Sequence, residues 1–126
     1  METSDKPKAA RAARSIFAFG IYLVVLGSGL LLAPDPMLAL FRQPPTHEPW
    51  LRVVGVVALV LGLYYVRAAR EGVAAFYRWT LGGRLLAALI LFGLLALNMV
   101  PRFVFLLAVV DLAGMVWTWR ALRGGE

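Results

Sequence analysis

Apolar residues fall into four long runs along this chain, and polar residues collect between them. The first run covers residues 15–33, "SIFAFGIYLVVLGSGLLLA", and Pro34 and Pro36 stop it. The second covers about residues 51–66, "LRVVGVVALVLGLYYV", short but extendable at both ends. The third spans about 79–100 and the fourth about 103–119. Each run approaches the ~20 residues that carry a helix across a ~30 Å hydrocarbon layer. Only Pro101 and Arg102 separate the third run from the fourth, which predicts a tight antiparallel hairpin.

The pattern predicts an all-α integral membrane four-helix bundle, with one domain over residues 15–123. A flexible basic segment, 1–14, precedes it, and a short tail, 124–126, follows. The first run is too long for the apolar core of a secretory signal, and "LLAPDP" is a poor cleavage site, so this helix is expected to be retained. The longest connection, "PDPMLALFRQPPTHEPW", reads as an outer loop whose "MLALF" can dip into the interface.

Composition points to the same solvent. Of 126 residues, 61% are hydrophobic and 16% charged, more apolar surface than so small a water-soluble domain can hide. There is no cysteine and a single histidine, His47, which excludes disulfides, thiol chemistry and His-rich or thiolate metal sites. The net charge of +6 raises nucleic acid as a partner. The basic residues, however, sit in short segments between apolar runs, as membrane topology requires, and no nucleic-acid partner is expected. Lys6, Lys8, Arg11, Arg14, Arg67, Arg70, Arg78, Arg120 and Arg123 belong to one side, against Arg42, Arg52 and Arg102 on the other. That bias predicts cytoplasmic N and C termini. Trp50, Trp79, Trp117 and Trp119 fall near run ends, where aromatic-belt residues belong.

Small residues mark where helices approach in lipid. Gly55, Ala58 and Gly62 share a face of the second helix, Gly20 and Gly27 lie seven apart in the first, and Gly83, Ala87 and Gly114 recur in the others. Internal packing is the expected use, with oligomerisation left open.

Candidate chemistry concentrates on Asp111. It lies eight residues, ~12 Å, from both Phe103 and Trp119, close to a bilayer midplane. An aspartate there costs ~2.5–3.5 kcal/mol on insertion scales, so it should face inward and find a partner, or be protonated. Leu107, Asp111, Gly114 and Thr118 share one face, and Thr80, Arg84, Leu91, Leu95 and Asn98 form a stripe on the third helix. Arg84 is the candidate counter-ion. Depth counted from Trp79 brings it within reach of Asp111. Counting back from the Pro101–Arg102 hairpin instead sets it opposite Thr118 or Trp119, ~10 Å from the acid along the axis. Asp111, Arg84, Thr80, Asn98 and Thr118 thus form either a register-fixing polar contact or a ligand or ion site. A lack of further acids in the helices argues against a proton relay. Arg52 is expected to meet lipid phosphate or a loop acid, Asp35 or Glu48.

With these residues in view, the chain resembles the small four-helix bacterial membrane proteins grouped as DoxX-like or DUF4345-like. The resembling stretches are "LLLAPDPMLALF", "LRVVGVVALVLGLYYVRAAR" and "VVDLAGMVWTWRAL". The resemblance implies a multi-pass protein of the bacterial cytoplasmic (inner) membrane, and some DoxX relatives are small subunits of quinone-linked oxidoreductases. Small multidrug transporters are of similar size, but they carry an essential glutamate in the first helix, which contains no acid here.

The leading functional expectation is therefore a non-catalytic accessory or scaffold subunit. Its partners would be membrane lipid and a membrane protein or a second copy, with a lipid or quinone held between helices. The alternative is a small transporter or channel using the Asp111/Arg84 region. An enzyme is least supported, because no nucleophile, carboxylate pair, cofactor motif or metal cluster stands out.

Overall fold

The polar N-terminus carries helix as well as charge. In the computed structural model, which describes residues 2–45 and 49–123 with side chains from residue 10 onward, α1 runs Glu2–Leu32. It therefore begins thirteen residues before the apolar run that predicts it. The reason lies in "KAARAAR": alanine, arginine and lysine are among the strongest helix formers, so polar sequence extends the helix past its apolar part. Four further helices follow: α2 (Pro34–Leu40), α3 (Trp50–Glu71), α4 (Ala74–Ala96) and α5 (Val104–Arg123). The protein is all-helical among the described residues. Four stretches, Ala10–Leu32, Trp50–Glu71, Ala74–Ala96 and Val104–Arg123, are long and apolar enough to cross a membrane. The tail 124–126, with His47 and Glu48 of the loop, lies outside the described residues.

Helix ends depart from the hydropathy boundaries for identifiable reasons. The α2 segment, expected as an interfacial loop, is a helix because Pro34 presets φ at its first position and Asp35 complements the dipole in its first turn. It stops when Arg42 adopts φ 58°, with the amides of Arg42 and Gln43 bonding back to Ala39 and Leu38. Gly72, at φ 71°, follows the end of α3. The predicted hairpin between the third and fourth helices is longer than two residues: α4 ends at Ala96 and α5 starts at Val104.

The chain divides into two compact units, residues 17–70 and residues 1–16 with 71–126. In the first unit, α1 and α3 lie antiparallel with glycines opposed. A Cβ on Gly27 would stand 2.6 Å from the Gly55 carbonyl oxygen, and one on Gly62 would stand 2.8 Å from that of Gly20. Both are shorter than a side-chain carbon tolerates, so glycine sets the helix separation, as its sequence spacing predicts. Phe19 packs on Tyr65, ring centroids 5.3 Å apart, and Arg52 donates to the Leu31 carbonyl. That bond caps an orphan carbonyl at the end of α1, a role the sequence reading did not give Arg52.

In the second unit, α4 and α5 are antiparallel, with Phe92 and Phe105 meeting edge to face at 5.9 Å near the connection. Tyr77, Thr80, Arg84 and Ala88 form the buried line of α4, and Val104, Ala108, Thr118 and Ala121 that of α5. The outward faces carry large apolar side chains, Leu86, Leu89, Ile90 and Leu106 among them, each at least half exposed. Polar groups inside and bare aliphatics outside reverse the order expected of a protein in water.

Candidate functional site

The most buried polar cluster is built around Arg84, which is 3% exposed. Its Nη2 donates to Thr80 Oγ1 at 3.0 Å, one helical turn back, and to Thr118 Oγ1 on α5 at 2.8 Å. Its Nε points at the Thr80 carbonyl at 3.4 Å. Thr80 Oγ1 donates in turn to the Tyr77 carbonyl at 2.7 Å.

The cluster reaches a third helix through Ser15. Its Oγ lies 2.7 Å from Thr118 Oγ1 and donates to the Ala12 carbonyl at 2.7 Å. Because the Ser15 proton is directed at Ala12, the Thr118 hydroxyl must be the donor to Ser15. Thr118 therefore accepts from Arg84 and donates to Ser15. The result is a one-way chain from guanidinium to Thr118, Ser15 and the Ala12 carbonyl, in which each bond polarises the next. Ser15 and Thr118 are at most 1% exposed, so this chain runs through the buried interior.

Of the five residues singled out by sequence, three meet here: Thr80, Arg84 and Thr118. The count from the hairpin gives the right register, since Arg84 faces Thr118 directly. Asp111 lies two turns further along α5, ~10 Å from Thr118 in axial rise. It is half-buried; Arg84 attracts it electrostatically, but among the described residues no hydrogen bond or ion pair reaches its carboxylate. Asn98 is not part of the cluster. It is exposed, lies beyond the end of α4, and takes φ 57°, with its amide bonded to Leu95 and that of Met99 to Leu94. This is a helix stop, for which asparagine is the best non-glycine residue. The stripe that includes Asn98 continues the helical period past the point where the helix ends.

Sequence reading missed Ser15, which it takes as the start of an apolar run. The available signal was its i, i+3 relation to Ala12, which gives two small residues on one face, followed by Ile16 and Phe19. Near the cluster, a cleft of about 570 Å³ opens between α1 and α5, lined by Arg11, Arg14, Trp117 and Arg120 with Ala113 and Val116. No group of acidic, histidine or cysteine side chains suited to a metal occurs among the described residues.

Fold and site together define an all-helical chain with four helices of membrane-spanning length and an arginine–hydroxyl cluster locking three of them together at one point. No family model, no curated protein and no solved structure matches it.

Proposed function

We propose that this chain is a multi-pass protein of the bacterial cytoplasmic membrane, with both termini in the cytoplasm. In this reading it is a non-catalytic accessory or scaffold subunit that holds a lipid or quinone between its helices. The observation that carries the scaffold reading is the use made of Arg84. Hydrogen bonds to charged groups contribute ~1.5–3 kcal/mol each, and this guanidinium bonds to Thr118 across to α5 while Thr80, one turn back on its own helix, orients it. Nine basic residues flanking one set of helix ends, against three at the other, support the orientation. The DoxX-like resemblance belongs to the same proposal.

Native mass spectrometry of the protein released from its own membrane tests this reading. A stoichiometric partner subunit or a retained lipid or quinone is the expected result. A bare monomer that catalyses solute flux in proteoliposomes would overturn it.

Asp111 favours a second reading, a small transporter or channel. Its carboxylate is half-buried in an apolar helix, and charges in such positions commonly mark substrate or ion paths. Flux that Asp111→Asn abolishes without unfolding the protein would establish that reading. A protein that carries no flux and unfolds on the same substitution places Asp111 in the packing.

A further inference from the structure

The cleft between α1 and α5 combines two chemistries. Arg11, Arg14 and Arg120 bring three arginines to one opening, and among the described residues no carboxylate lines it. Trp117, 49% exposed, and the side chains of Ala113 and Val116 supply an apolar wall beside them. Planar guanidinium forks match phosphate oxygens in pairs, and three of them around one cleft concentrate positive potential where a single lysine would give a point charge. An indole next to the arginines suits a ligand whose polar end continues into hydrocarbon. The volume, about 570 Å³, is that of a small-ligand site and accommodates a glycerophosphate group with its first methylenes.

We propose that this cleft binds a phosphate-bearing anion, supplied as the headgroup of an anionic phospholipid. The inference rests on the membrane reading above and names the lipid class and the residues that recognise it. Basic pockets between helices on the cytoplasmic side of a membrane select such headgroups, whereas a neutral quinone has no use for three arginines. Arg14 and Arg120 are exposed and separate from the Arg84 cluster, so the cleft can be altered without dismantling the core.

The test is lipid retention by native mass spectrometry on the full chain in detergent. Phosphatidylglycerol or phosphatidylcholine is titrated in, with inorganic phosphate and glycerol phosphate as soluble arms. The expected result is preferential phosphatidylglycerol adducts that weaken roughly fivefold for Arg14→Gln and again for Arg120→Gln. Arg102→Gln, in the α4–α5 connection at the opposite end of α5 from the cleft, should leave them unchanged. Trp117→Ala should weaken the lipid arm and spare the phosphate arm. Circular dichroism and gel filtration confirm that each variant keeps its fold.

Equal retention of the two lipids, or anionic retention indifferent to Arg14 and Arg120, overturns the proposal and leaves the membrane reading standing. Saturation by inorganic phosphate with no lipid preference overturns the lipid as source. Recovery of the protein from the soluble fraction of cells, without membranes, overturns the membrane reading itself.

Discussion

A threonine hydroxyl can accept and donate at once, and Thr118 does both, accepting a hydrogen bond from Arg84 and donating one to Ser15. Removing that hydroxyl costs more than one hydrogen bond, because the guanidinium loses an acceptor where water cannot replace it. Thr118→Val is expected to destabilise the protein by ~1–2 kcal/mol in reversible detergent unfolding, with Thr118→Ser retaining most of the stability. Combined with Arg84→Met, the cost of Thr118→Val should shrink, giving a coupling of ~1 kcal/mol; strictly additive losses would deny that the two residues act together. Asn98 belongs to different physics. Asn98→Gly should leave stability within ~0.5 kcal/mol, while Asn98→Val should lose ~1–2 kcal/mol by forcing a β-branched residue to φ 57°. Equal effects of the two substitutions, read from the same unfolding curves, would contradict the helix-stop role. Thr80, Arg84 and Thr118 were legible in the sequence because they obey helical spacing on apolar helices. Asn98 obeyed that spacing too, and only its backbone angle, which spacing does not report, removes it from the site.

The helices themselves were legible, and their ends were not. Hydropathy reports where a segment prefers lipid, whereas helix continues as long as propensity and caps allow. So "RAARE" extends α3 to Glu71, "AAFYR" opens α4 at Ala74, and "KAARAAR" lengthens α1. The seven-residue α2 escaped because a membrane-length window averages it with its prolines. Glycine spacing, by contrast, transferred well to packing for α1 and α3, and less well for α4. A Cβ at Gly82 or Gly83 meets nothing within 4 Å, so Gly83 does not mark a contact within the chain as expected. The two kinds of glycine predict opposite outcomes. Gly27→Leu should force α1 and α3 apart and lower the midpoint of thermal unfolding sharply, whereas Gly83→Ala should be neutral or stabilise by up to ~1 kcal/mol through helix propensity. Thermal scans of the two variants in the same detergent check this; a tolerated Gly27→Leu would remove the close contact from the account.

At the scale of the whole molecule, composition and periodicity foretold an all-helical chain with four helices long and apolar enough to cross a membrane, because 61% hydrophobic content leaves few other arrangements for 126 residues. Charge bias then sets the proposed orientation, and that orientation brings Ser15, Arg84, Thr118 and the arginine cleft to the cytoplasmic half. Because the chain has no cysteine, single introduced thiols report topology against a silent background. Pro44→Cys and Met99→Cys should react with a membrane-impermeant maleimide on intact cells. Lys8→Cys, Val73→Cys and Glu126→Cys should react only after the membrane is opened. Labelling of Lys8→Cys or Val73→Cys on intact cells, or opposite behaviour of positions 44 and 99, would contradict four crossings with both termini inside.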